Sequence, residues 1–326
     1  MVSMKDNIRA VVHDVTDHSL RLESQEVPIP SSNQYLIRTQ AVGITKGELQ
    51  WPEPGSLSRP IPGFDVAGTV IKSPSNESKF QSGDNIYALT AFGRPANARE
   101  ITLVDEGEIA SMPIGLSFEE AAAVPMSALT AKEALFDKFG LVCEANSAKN
   151  RDKSLLIIGA SGAVGIWAVQ LAKWSGVGRI VGMCGPDNVD FVKGIGAGSV
   201  INYRELSLAD WVARGRSDAK FDFVLDGVGG PVLSDAWTAV KPNGHLLCIV
   251  HPIDGSRPEI GVSEGVKGTF FIVQPNGEHL ARITTLIEEK VVRPFIDGVY
   301  TLDNFERAFN RAESGHAKGK VILKMQ

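Results

Sequence analysis

The chain of 326 residues is poor in cysteine, with only Cys143, Cys184 and Cys248, none of them before position 143. Three widely spaced cysteines, an odd number, make no disulfide framework and suit a reducing compartment. A catalytic zinc needs about three protein ligands, mostly Cys and His. Ahead of Cys143 stand only His13 and His18, and His245, His251, His279 and His316 lack paired spacing, so no metal is expected. Tyrosine is scarce too: none of Tyr35, Tyr87, Tyr203 and Tyr300 is followed four residues on by Lys, which removes the Tyr-x-x-x-Lys proton donor of short-chain reductases. No short stretch concentrates Lys and Arg, and the net charge is −5. Nucleic acid and anionic membranes are therefore not expected partners. The first residues, with Lys5, Asp6 and Arg9, lack the apolar core of a signal peptide, which gives a cytoplasmic expectation.

What is present is an ordinary packed protein, 43% hydrophobic and 22% charged. Its length favours two compact units. As far as about position 104 short apolar stretches, such as 35–41, 67–71 and 85–89, are broken by Pro and Gly, the pattern of a β-rich module. Residues 46–62, carrying Pro52, Pro54, Pro60 and Pro62, read as a long loop. Ser117-Phe118-Glu119-Glu120 reads as a capped helix start leading into an Ala-rich helix. From 154 to 250 short strands (155–158, 179–183, 199–202, 221–225, 246–250) alternate with helical text, which predicts an α/β unit with a doubly wound parallel sheet. The apolar run 155–172 is long enough to suggest a membrane span, but its glycines argue against one. The tail closes on a strand at 320–323 that could complete the first unit.

The strongest chemical signal is Gly159-Ala160-Ser161-Gly162-Ala163-Val164-Gly165, set between an apolar strand and a helix. Such a loop lets backbone N–H groups at a helix start face a pyrophosphate, and Ser161, Gly162, Ala163 and Val164 are the candidate contacts. The alternative is that the glycines serve only tight helix-to-sheet packing. Gly159-Ala160-Ser161-Gly162 is explained by such a loop and is not a Gly-x-Ser-x-Gly nucleophile elbow. Where an NAD enzyme usually has an acidic residue at the end of its second strand, this chain reads Met183-Cys184-Gly185-Pro186, with Asp187 just beyond. NADP(H) is the favoured cofactor.

In order along the chain, these segments resemble zinc-independent medium-chain dehydrogenases/reductases of the quinone oxidoreductase and enoyl reductase type. The block Ile61-Pro62-Gly63-Phe64-Asp65-Val66-Ala67-Gly68-Thr69-Val70 is similar to the family's P-G-x-D-x-x-G-x-V, and zinc-dependent relatives place His-Glu where Phe64-Asp65 stand. Further similar blocks are 121–134, 196–203, Asp226-Gly227-Val228-Gly229-Gly230, Pro242-Asn243-Gly244 and 315–320. The resemblance implies a GroES-like β-rich domain over 1–124, completed by 269–326, and a Rossmann NADP(H)-binding domain over 125–268. It implies that Thr130 lies near the nicotinamide, that Tyr203 flanks the adenosine phosphate, and that Val228, Val250, Phe271, Ile272 and Lys320 line the cofactor. A homodimer is possible on the same ground.

The implied activity is hydride transfer, without metal, to an activated C=C bond or a quinone of a small-molecule substrate. Thr45, in the segment Ala41-Val42-Gly43-Ile44-Thr45, is the candidate donor to a developing enolate oxygen, and is equally readable as a satisfied loop hydroxyl. Glu48 could relay a proton, although bracing of the loop is the favoured reading. Trp51 either walls a substrate site or staples the loop. Tyr87 reads as a core aromatic, and His251 as a maker of structural hydrogen bonds. The alternative function is a nicotinamide-binding partner or sensor with little turnover.

Overall fold

The computed structural model describes residues 7–51, 59–214 and 219–325. The prolines Pro52 and Pro54 of the long loop lie outside the described residues. The chain forms two compact units, Met1–Leu129 with Gln274–Gln326, and Thr130–Val273.

Strands β1 (Asn7–Asp14), β2 (Ser19–Glu26), β3 (Gln34–Ile44), β4 (Asp65–Lys72), β5 (Asn85–Leu89), β6 (Ile101–Asp105) and β7 (Ile109–Ser111) come first. They are followed by β8 (Ser154–Ile158), β9 (Arg179–Cys184), β10 (Ser199–Asn202), β11 (Phe221–Asp226), β12 (Val240–Cys248) and β13 (Lys267–Phe270). The last two are β14 (Ile296–Thr301) and β15 (Lys320–Lys324).

In the first unit β1 and β2 form a hairpin, and a larger sheet runs β14-β15-β3-β4-β5-β7, with β6 also paired to β3. The terminal strand thus completes the N-terminal sheet from more than two hundred residues away, antiparallel to β3 with Val321 opposite Ile44. On the other side of β3, Gly43 lies opposite Asp65 of β4. Alternating inward residues, among them Tyr35, Ile37, Val66, Val70, Ile86 and Ala88, build one core, as half-buried strands require.

The second unit is a parallel sheet of order β10-β9-β8-β11-β12-β13. This is the doubly wound arrangement, with the chain reversing direction of travel at β8 and β11. The central strand β8 is buried at every position, which explains its unbroken apolar text. Residues 155–172 are not one span but this strand followed by a helix, Ala163–Trp174. No helix among the described residues is long and apolar enough to cross a membrane.

Two local readings are corrected. The Ala-rich helix after Ser117 is two helices, Phe118–Ala122 and Pro125–Lys132. Ser117 makes the capping box with Glu120, but Pro125 has no N–H to continue the first helix and instead opens the second. Strand 246–250 is in fact Val240–Cys248, because its neighbours stop there: Asp226 and Phe270 both pair with Cys248. Val250 therefore lies beyond the sheet.

Candidate active site

The strands of the parallel sheet end in register. Ile158 pairs with Met183, Asn202 with Cys184, Asp226 with Ile158 and with Cys248, and Cys248 with Phe270. Whatever follows each strand is thereby gathered along one edge, the side where open α/β sheets bind ligands. The glycine loop follows β8. Its helix begins with Gly162 as N-cap and no side-chain cap, so the first N–H groups, from Ala163 and Val164 onward, have no partner within the helix. Gly165 is dictated by contact: a Cβ there would sit 2.2 Å from the carbonyl oxygen of Gly159.

Tyr203 follows β10, its N–H donating to the Cys184 carbonyl at 3.2 Å. The guanidinium of Arg204, a residue that no sequence motif singles out, lies 5.5 Å from the Tyr203 ring centroid. Val228, Val250 and Ile272 follow β11, β12 and β13. These side chains are unusually open for apolar residues, with Tyr203 44%, Val228 50%, Val250 45% and Ile272 59% exposed. An apolar fringe on one sheet edge suits a surface that receives a ligand or a partner. Phe271 and Ser161 are half-buried, and Thr130 is buried.

Asp226 holds the loop after β11. Its fully buried carboxylate accepts from the Val228 N–H at 2.8 Å and the Gly229 N–H at 3.0 Å. Burial pushes its pKa up, against the pull of those N–H groups. His251 Nε2 accepts from the Gly230 N–H at 3.2 Å, which leaves Nδ1 to donate to the Pro252 carbonyl at 3.1 Å. Both ring nitrogens are committed to the backbone.

The first unit carries a separate polar cluster, assembled by the register of β15, β3 and β4. Lys320, which the resemblance set along the cofactor, is here 2% exposed, with Nζ 2.6 Å from Asp65 Oδ2. A second Lys320 N–H donates to Thr45 Oγ1, also at 2.6 Å. The other oxygen of Asp65 accepts from the Met126 N–H at 2.6 Å, satisfying one of the orphan donors at the start of helix Pro125–Lys132. Burial pushes the Asp65 carboxyl up and Lys320 draws it down. Gly43 makes the pair fit: a Cβ there would lie 2.8 Å from Lys320 Cε and 3.0 Å from Asp65 Cβ.

The Thr45 hydroxyl is 3.3 Å from Met126 Sδ, and the Thr45 N–H donates to Glu48 Oε2 at 3.3 Å. Glu48 thus ties two positions of the loop together, at a cost. It is buried, its Oε1 has no hydrogen-bond partner among the described residues, and burial pushes its pKa up to about 8. Trp51 and Phe92 pack on Phe64, with ring centroids 5.9 and 4.8 Å from it. Tyr87 is a core residue, its hydroxyl bonded to the Leu280 carbonyl and to Thr284.

Residues 31–133 match the alcohol dehydrogenase GroES-like domain family, and residues 195–323 match the zinc-binding dehydrogenase family. A probable zinc-binding oxidoreductase, mitochondrial, from Arthroderma benhamiae is 38% identical over 97% of this chain and 96% of its own length. A 2-methylene-furan-3-one reductase from Solanum lycopersicum is 30% identical over 93% of this chain and 75% of its own length. Among solved structures, the quinone oxidoreductase from Coxiella burnetii shares the fold, with TM-score 0.85 and 24% identity over 98% of this chain and all of that one.

The chain belongs to the medium-chain dehydrogenase/reductase superfamily. Within it the chain sits with quinone oxidoreductases and NAD(P)H oxidoreductases, and it is an oxidoreductase built on a GroES-like and a Rossmann domain. A nicotinamide dinucleotide fits the second unit: the uncapped helix start suits a pyrophosphate, and the apolar fringe suits flat rings. At the two positions where zinc-dependent relatives have His-Glu, the residues present do not suit zinc. Phe64 offers no ligand atom and is packed among aromatics, while Asp65 is committed to Lys320 and Met126. Among the described residues no group of three or more His, Cys, Asp or Glu could hold a metal ion.

Proposed function

We propose that this medium-chain reductase uses NADPH, without metal, to reduce an activated C=C bond of an enone or enoyl compound, or a quinone. The observation that carries the reading is the Asp65–Lys320 pair. The carboxylate stands where zinc-dependent relatives have the Glu of their His-Glu pair, and it is matched by a lysine. Polarisation of the acceptor oxygen is then left to hydrogen-bond donors, with Thr45 the foremost. Bound NADPH supplies the hydride; the proton that completes the saturated product, or the hydroquinone, comes from solvent. The chain's own part is to hold both reactants and favour the negative oxygen that develops.

The preference for NADPH is supported by the text after β9. No carboxylate ends that strand to claim a ribose hydroxyl, and Tyr203 with the Arg204 guanidinium offers a donor and a cation to a 2′-phosphate. Thr130, Ser161, Gly162, Ala163, Val164, Val228, Val250, Phe271 and Ile272 are the proposed remaining contacts. Reduction of a conjugated carbonyl also agrees with the similarity to the 2-methylene-furan-3-one reductase from Solanum lycopersicum.

The test follows loss of reduced nicotinamide absorbance with NADPH and NADH against a trans-2-alkenal, a cyclic enone, a para-quinone and a saturated aldehyde, with product analysis. Saturated carbonyl or hydroquinone product, formed faster with NADPH, supports the reading. Stoichiometric zinc together with reduction of the saturated aldehyde overturns it. NADPH binding with no turnover of any acceptor favours the non-catalytic partner or sensor instead.

A further inference from the structure

Resting on that reading, we infer that Lys320 is a positioning residue, holding the Thr45 hydroxyl as a hydrogen-bond donor toward the acceptor oxygen on which negative charge develops. A lysine ammonium has three donors and no acceptor. Because Lys320 donates to Thr45 Oγ1 at 2.6 Å, the threonine oxygen accepts there and its own hydrogen must point elsewhere. Its neighbour in that direction is Met126 Sδ at 3.3 Å, a weak acceptor. An oxyanion is a far stronger one, so the hydroxyl turns from sulfur to enolate at little cost.

Two features separate this arrangement from a plain bracing pair. Joining the strands needs only the contact between Lys320 and Asp65, yet a second ammonium N–H is aimed at a half-buried hydroxyl on the loop after β3. The charge is also fully buried behind that hydroxyl, where it is screened little, and Asp65 offsets the cost of burying it. Thr45 becomes a polarised donor set in advance of reaction. It donates a hydrogen bond and keeps its proton.

The test is a double-mutant cycle on an acceptor the parent protein reduces. Thr45→Val keeps the shape and removes the donor; it lowers kcat about a hundredfold, with little change in the dissociation constant for NADPH. Thr45→Ser restores kcat to within about fivefold of the parent, since one hydrogen bond of the same kind returns. Lys320→Met combined with Asp65→Asn removes the ammonium without leaving a buried carboxylate; it lowers kcat about tenfold in the parent background and not at all beside Thr45→Val. Equal losses in both backgrounds overturn the inference while leaving the reductase reading intact. Should the Lys320 variants not fold, Thr45 still decides: a Val variant as active as the Ser variant overturns it. A parent protein with no turnover on the whole panel overturns the reductase reading and this inference together.

Discussion

The buried carboxyl of Glu48 gives a prediction whose size follows from the structure. In the unfolded chain a glutamate titrates near 4.5, whereas burial raises this one to about 8, opposed by Lys320 and by the Thr45 N–H and reinforced by Asp65 and Glu313. Between those values the folded protein keeps a proton that the unfolded chain has released. Stability therefore falls as pH rises, by about 1.4 kcal/mol per pH unit, and the penalty is complete above pH 8. Glu48→Gln keeps an acceptor for the Thr45 N–H but cannot ionise. From pH 5.5 to 8 the parent should lose about 3 kcal/mol that the variant does not lose, allowing for the part already lost at pH 5.5 and for half-ionisation at the top. Whatever constant difference the amide introduces cancels in this comparison. Hydrogen exchange of the β3 amides, parent against variant at each pH, reads the effect in the right unit, because intrinsic exchange rates are then common to both. Infrared difference spectra should show a protonated-carboxyl band in the parent at pH 7, gone above pH 8 and missing in the variant. A pH-independent difference in exchange, or no such band at pH 7, would refute the reasoning.

Tyr203→Phe and Arg204→Ala should each weaken NADPH about tenfold, the loss of one charge-assisted hydrogen bond, and leave NADH within about twofold; equal losses for both nucleotides in a titration would remove these residues from the 2′-phosphate. Gly165→Ala places a methyl 2.2 Å from the Gly159 carbonyl oxygen, so nucleotide binding measured by calorimetry should be lost or the second unit should unfold. Gly43→Ala brings a methyl within 2.5 Å of the Ala122 carbonyl oxygen as well as against Lys320, and should lower both kcat and the melting temperature of the first unit. Ser117→Ala removes the capping box and should cost about 1 kcal/mol of stability with unchanged kcat, checked by denaturant unfolding and steady-state kinetics side by side.

Much of the second unit was legible because its information is local. Five short apolar strands alternating with helical text specify a parallel sheet, and a glycine loop after the first of them marks the helix start proposed to receive a pyrophosphate. The limits of β12 were misread because they depend on where β11 and β13 end, which no periodicity within β12 records. Arg204 was passed over for a similar reason, since an exposed arginine in a turn is unremarkable until it is found over Tyr203. In the first unit Thr45 and Glu48 were reachable by resemblance, but their surroundings were not. Lys320 and Thr45 are 275 residues apart in the chain and meet only because β15 pairs with β3.

That pairing also gives Lys320, which the resemblance sets along the cofactor, a buried carboxylate partner in Asp65. Burial here is nearly complete, and the glycine that permits it, Gly43, lies on a third strand segment with no motif of its own beyond Ala-x-Gly-x-Thr. The three strands together make a site in which a positive charge stands behind a hydroxyl. On the proposed reading this does, by hydrogen bonding, what a metal ion does by direct contact with an acceptor oxygen. A hydroxyl so held stabilises charge only where a substrate oxygen comes within hydrogen-bonding reach. Acceptors that develop charge on oxygen, conjugated carbonyls and quinones, should therefore lose much more from Thr45→Val than an acceptor activated by a nitro group, whose charge is spread over two oxygens.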